Sequence, residues 1–223
     1  MNSNSIIETS GTLSLLIQIV TTALDTIVLL IPTKKENDDI RELLKIENVV
    51  NVIEGIFYIW MVCNFNKIKN ITKYRYYDWM FTTPTMLFTY IMYNIMTQNK
   101  EKNIKSNLMT LVVKEKDTLL LVMFLNWLML FFGYLNETGE MGAKISTFLG
   151  FIPFFAMFYI IYDKYAKYTD IGRITFFLFA GVWALYGVAA LMSYNAKNAI
   201  YNILDLFSKN FFGLFLAYMV VFR

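Results

Sequence analysis

The chain has 223 residues, 57% of them hydrophobic, and a formal net charge of +3, a composition too apolar for an ordinary soluble domain and suited to a lipid bilayer. Histidine is absent and Cys63 is the single cysteine, which removes Ser-His-Asp chemistry, multi-cysteine metal sites and an internal disulfide framework, and argues against an enzyme. No basic run with interleaved aromatics suggests nucleic acid as a partner.

Residues 1–10 are polar and carry Glu8 but no Lys or Arg, a poor start for a cleavable signal peptide, so they are expected on the mature chain. Apolar runs then predict seven spans: α1 at about 12–31, α2 at 46–65, α3 at 74–97, α4 at 117–135, α5 at 144–163, α6 at 171–193 and α7 at 198–222. At about 20 residues each, seven spans take about 140 residues and leave only short connections. The expected fold class is an all-α membrane protein, a seven-transmembrane-helix bundle forming a single domain over residues 1–223. Between α1 and α2, at about 33–45, Ile40, Leu43 and Leu44 share one face among charges. That pattern suits a short amphipathic helix lying on the membrane, or equally a solvated charged loop. Thirteen Lys and Arg residues, Arg223 included, lie in or beside the α1–α2, α3–α4 and α5–α6 connections and the C-terminus, against six at the other three connections. The asymmetry predicts a multi-pass protein with its C-terminus in the cytoplasm.

An ionisable residue deep in an apolar helix costs about 3 kcal/mol or more, so each needs a partner, a hydrated cavity or a function. Lys209 lies twelve residues into α7 between Leu206, Phe207, Phe211 and Phe212, too deep to snorkel easily. Asp205 is four residues earlier on the same face, and Asp78 stands in α3. Desolvation favours the neutral, nucleophilic amine, which condenses with an aldehyde; the protonated imine then needs one or two carboxylates nearby. A purely structural Lys209–Asp205 ion pair fits the same spacing.

The segment Arg75-Tyr76-Tyr77-Asp78-Trp79-Met80-Phe81-Thr82-Thr83-Pro84 resembles the third helix of microbial rhodopsins, the bacteriorhodopsin family. The segment Asp205-Leu206-Phe207-Ser208-Lys209-Asn210-Phe211-Phe212-Gly213 is similar to their retinal-attachment segment. Trp183 and Tyr186 in α6, Asn126, Met129 and Gly133 in α4, and Ala156-Met157-Phe158-Tyr159 in α5 extend the likeness over most of the chain. The resemblance implies all-trans retinal bound covalently to Lys209 as a protonated Schiff base. Asp78 would be main counterion and proton acceptor, Asp205 second counterion, and Arg75, one turn from Asp78, would tune the carboxylate pair. Trp79, Met86, Met129, Trp183 and Tyr186 would enclose the polyene with Gly133, and Thr83 and Asn126 would form a hydrogen-bonded pair between α3 and α4 that slows or gates the photocycle. Those aromatics would otherwise read as bundle core. Pro84 frees a helix carbonyl that Thr82 or Thr83 is expected to satisfy.

Departures from the family pattern bear on function. Outward proton pumps usually have a carboxylic donor eleven residues after the Asp78 position; here it is Thr89, which cannot donate a proton at physiological pH. The α6–α7 connection SYNAKNAIYN has no glutamate and carries Lys197 near a place where the best-known pump has a release carboxylate. Meanwhile Glu47, Asn51, Glu54 and Tyr58 form one stripe on α2. Ser14, Gln18, Thr22 and Asp25 form another on α1, and Asn198 and Asn202 lead down α7 to Asp205. Facing one another, these stripes would line a hydrated ion pathway through Ser14, Gln18, Asn51, Glu54 and Asn202, as in channelrhodopsins; alternatively they only bond the helices together. The overall pattern is similar to the rhodopsins of large DNA viruses, some of which behave as cation channels. Light-gated conduction of protons or small cations ranks first, outward proton pumping second and sensing third. Asp78 speaks against chloride pumping. A homo-oligomer in the bilayer stays open.

Overall fold

The computed structural model describes residues 3–32 and 38–222. Among them are seven long helices and no strand: α1 Ser3–Leu30, α2 Asp38–Asn64, α3 Ile71–Glu101, α4 Leu108–Glu137, α5 Ala143–Lys164, α6 Asp170–Ala189 and α7 Tyr194–Phe222. Asn70, Asn107 and Thr169 cap α3, α4 and α6 by accepting the backbone N–H of Lys73, Thr110 and Gly172 at 3.0–3.1 Å. The helices pack as neighbours in chain order, and α7 closes the ring against α1 and α2.

The distribution of polarity is that of a membrane bundle. Leu13, Leu16, Val20, Phe124, Phe148, Phe177 and Leu178 are exposed, whereas Asp25, Glu47, Glu54 and Arg75 are 0% exposed and Asp205 and Lys209 1%. Six of the helices are long and apolar enough to cross a membrane; α3 is not among them. Its 31 residues are amply long, but Arg75, Asp78, Thr82, Thr83, Thr89, Asn94 and Thr97 are all buried. These polar groups face the neighbouring helices while Tyr77 and Phe81 face outward, so protein rather than lipid meets them.

Three features depart from the expected elements. Residues 38–45 are not a separate surface helix but the first turns of α2, because Ile40, Leu43 and Leu44 bury themselves in the main core cluster with Ile91, Met92 and Tyr93 of α3; residues 33–37 of the expected connection lie outside the described part. The first helix starts at Ser3 rather than 12, since Ile7 is buried and its carbonyl accepts Asn202 Nδ2 at 3.3 Å. Finally, Thr82 and Thr83 donate to the carbonyls of Asp78 and Trp79 at 3.0 and 2.6 Å, and the Met80 carbonyl freed by Pro84 instead accepts Trp127 Nε1 of α4 at 3.0 Å. Within α7, Leu206–Asn210 forms one widened π-type turn, a local irregularity frequent at functional positions.

Candidate functional site

Lys209 sits in that widened turn, and three carboxyl groups converge on its amine. Nζ donates to Asp78 Oδ2 at 2.7 Å, stands 3.2 Å from Glu54 Oε1 and 4.0 Å from Asp205 Oδ1. The family resemblance assigns Asp78 and Asp205 to this place, and the α2 stripe assigns Glu54 to a pathway; in three dimensions Glu54 is nearer the amine than Asp205 is. Arg75, three residues before Asp78 on α3, turns to Asp205 at 3.0 Å rather than to Asp78. It also donates to Tyr58 at 3.2 Å, Asn198 at 3.4 Å and Asn202. Asp205 further accepts the hydroxyls of Tyr58 and Tyr186, each at 2.7 Å. Lys209 and Arg75 thus face three acids, one negative charge more than they balance. In a low-dielectric interior such an excess calls for a bound proton or a cation.

A cavity extends from Lys209 and Ser208 on α7 across the bundle to α4 and α5. Trp79, Thr83, Met86, Met129, Gly133, Trp183 and Tyr186 all line it, joined by Tyr76, Leu130, Gly150, Phe154 and Tyr201. Trp79 meets Tyr186 and Tyr201 edge-on at 5.4 and 5.2 Å between ring centroids, and Trp183 packs on Phe158 and Phe179. Asn126 Nδ2 donates to Thr83 Oγ1 at 2.8 Å, tying α4 to α3 behind the wall. An elongated, mostly apolar slot with a single amine at one end and carboxylates only around that amine fits a linear polyene aldehyde, which the amine captures as an imine with loss of water. These residues fit retinal.

On the other side of Lys209 the polar stripes of α1, α2 and α7 do face one another. Ser14 Oγ donates to the Asn202 carbonyl at 2.8 Å and accepts Gln18 Nε2 at 3.2 Å. Asn202 Oδ1 accepts Tyr58 at 3.2 Å. Toward the other membrane face, Asn51 Nδ2 donates to Asp25 Oδ2 at 3.1 Å, and Thr89 donates to Glu47. In and beside these knots are buried atoms without a protein partner: Gln18 Oε1, Asp25 Oδ1, Glu47 Oε2, Asn51 Oδ1 and both amide atoms of Asn210.

Residues the sequence reading left out are Ser208, which meets Tyr186 at 2.9 Å, Tyr201, stacked on Tyr186 at 5.4 Å, and Tyr76. Tyr201 falls four residues before Asp205 and Tyr76 three before Trp79, so helical spacing could have found both. The pair Lys197–Glu137, 2.5 Å apart and nearly buried, joins α7 to α4 near the connection where release carboxylates were missed.

Compared with known proteins, the chain matches the family model described as bacteriorhodopsin-like protein over residues 9–222. No curated protein sequence matches it significantly. Among solved structures it is similar to the viral rhodopsin OLPVRII, with 27% identity, a TM-score of 0.83 and 96% of each chain covered. A blue light-absorbing proteorhodopsin from Med12 gives 16% identity and a TM-score of 0.74, again over 96% of each chain. Xanthorhodopsin, a light-driven ion pump with dual chromophore, gives 17% and 0.72 over 98% of this chain and 92% of its own. The last two likenesses speak for the fold alone.

Proposed function

Because the chain belongs to the bacteriorhodopsin-like family, whose members are light-responsive membrane proteins carrying retinal covalently on a lysine, we propose that it is a light-gated channel for protons or small cations with Lys209 as the attachment residue. Retinal, when bound, supplies light absorption and an isomerisation that reorients the bond at its point of attachment. The protein's own groups do the rest. Asp78, 2.7 Å away, balances the charge at Lys209 Nζ and takes its proton. Glu54 and Asp205 share the counterion duty, and Arg75 pairs with Asp205 and keeps it aligned while separating Lys209 from the outer surface. Trp79, Met86, Met129, Gly133, Trp183 and Tyr186 fix the polyene, and the Thr83–Asn126 bond ties the two helices beside it.

The observation that carries the channel reading is the set of unpartnered buried polar atoms on α1, α2 and α7. Buried polar groups are normally bonded, so a run of open ones beside Ser14, Gln18, Asn51, Glu54 and Asn202 argues for water, which an ion can displace. Two knots interrupt the run: Arg75 with Asn202, Tyr58 and Asp205 on one side of Lys209, and Glu47–Thr89 with Asp25–Asn51 on the other. Both must loosen for current to flow, and the first is joined to Lys209 through Asp205. The excess of basic residues on the C-terminal side supports a cytoplasmic C-terminus.

Outward pumping is the second reading, and one contact favours it. Thr89 replaces the usual donor, yet its hydroxyl donates to Glu47, so a carboxyl group does stand beside that position. Photocurrent across a voltage ramp, in cells supplied with retinal and compared with Glu54→Gln, tests the assignment. A current that reverses with the ion gradients and falls in Glu54→Gln is expected; outward current without reversal means a pump, and absence of current in a coloured protein means a sensor.

A further inference from the structure

The way retinal reaches Lys209 has to be explained, because the amine is 1% exposed and its own end of the cavity is sealed by the Asp78, Asp205, Tyr186 and Arg75 network. An apolar polyene dissolves in the hydrocarbon layer, so a route that avoids those charges has to start from lipid. The far end of the cavity is lined by small residues, Ser146, Thr147 and Gly150 on α5 and Gly187 and Ala190 on α6. The aromatic pairs that join these two helices gather at one half. Phe158 meets Phe176, Phe179 and Trp183, and Tyr162 meets Phe176 and Phe177, all with centroids 4.9–6.2 Å apart. In the other half the tip of the Phe151 ring abuts Gly187, where a Cβ would stand 2.6 Å from its Cζ.

Phe151 is therefore the closure. Its ring fills the gap that the missing side chain of Gly187 leaves, and it is itself only half-buried, stacked at 5.6 Å on Phe155, which is 64% exposed to lipid. Pro153 removes the helix hydrogen bond to the carbonyl of residue 149, so the turn that carries Phe151 is held by one bond fewer than the rest of α5.

We propose that the gap between α5 and α6 is a lateral portal through which retinal enters from the bilayer, with Phe151 as its door; this rests on Lys209 as the attachment residue. The test uses protein embedded in lipid nanodiscs, bleached with hydroxylamine, washed, and re-supplied with all-trans retinal in the lipid. The rise of the visible band gives a rate constant, each variant normalised to its own end point. Phe151→Ala is expected to raise that rate roughly fivefold, the effect of one aromatic pair no longer having to part, while Phe151→Leu falls between. Dark bleaching by water-borne hydroxylamine is followed in parallel and is expected to keep its parent rate. An unchanged or slower uptake in both variants overturns the portal, and so does an equal acceleration of uptake and dark bleaching, which would mean general loosening. Failure of the parent to regain any band strikes instead at the attachment reading, so the two ideas fail separately.

Discussion

The Arg75–Asp205 pair allows a quantitative test of how the site is held. Both side chains are at most 1% exposed and 3.0 Å apart, so their attraction at an effective dielectric constant of about 20 is roughly 5 kcal/mol before desolvation is counted. Arg75→Gln leaves Asp205 buried with the Tyr58 and Tyr186 hydroxyls still donating to it. The cost should then sit at the lower end for a broken buried pair, about 3 kcal/mol, and at about 2–4 °C per kcal/mol the melting temperature should fall by roughly 6–12 °C. Asp205→Asn strands the guanidinium and should cost a similar amount. The double variant should cost less than the two single losses together by at least about 1.5 kcal/mol, because neither charge is then left alone. The assay is thermal loss of the visible band in detergent, taken at fixed scan rate because membrane proteins unfold irreversibly. An Arg75→Gln protein melting within about 2 °C of the parent, or strictly additive losses, would refute the idea that this pair organises the site.

Lys209→Ala should abolish the visible band on adding retinal, whereas a coloured band in that variant would place the attachment elsewhere. Asn126→Ala removes the 2.8 Å bond to Thr83; a bond worth about 1 kcal/mol should change the decay of photocurrent after the light is switched off about fivefold, and an unaltered decay would deny the pair a kinetic role. Trp127→Phe leaves the Met80 carbonyl at the Pro84 kink without its donor, which should cost about 1–3 kcal/mol of stability, read as earlier thermal bleaching; no change would mean that another group reaches that carbonyl.

Much of this was legible in the sequence because the membrane makes polar residues informative. A lysine among phenylalanines, an aspartate four residues before it and a second in a neighbouring helix stand out against hydrocarbon, and six of the helices announce themselves by apolar length. The ends of α1, α2 and α4 were drawn too short for the same reason: polar residues such as Asp39 and Lys45 read as loop, while the Ile40, Leu43 and Leu44 face that keeps this segment helical depends on contacts with α3. Local pattern also cannot show which side of a helix a neighbour meets. The Met80 carbonyl finds Trp127 rather than the adjacent threonines, and the widened turn at Lys209 has no signature in its residues. Glu54 was visible as part of the α2 stripe, but its distance from Lys209 depends on how α2 sits against α7.

That distance joins the two halves of the molecule. Glu54 is 3.2 Å from Lys209 Nζ and lies on α2 between Asn51, bonded to Asp25, and Tyr58, bonded to Asp205. It therefore belongs both to the group of charges that balances Lys209 and to the polar face that carries the unpartnered atoms. With three acids against two bases, any shift of the charge at Lys209 changes which carboxyl holds the excess, and a cation entering the polar face meets that excess at Glu54 first. Colour and conduction should then be coupled at this residue and not at the α1 positions Ser14 and Gln18. Glu54→Gln is expected to move both the absorption band and the photocurrent, while Ser14→Ala and Gln18→Ala, linked to Asn202 through one and two hydrogen bonds, should alter the current and leave the band in place. Absorption spectra and currents recorded on the same variants decide the matter: a band that shifts in Ser14→Ala, or stays put in Glu54→Gln while the current falls, would separate the counterion cluster from the pathway.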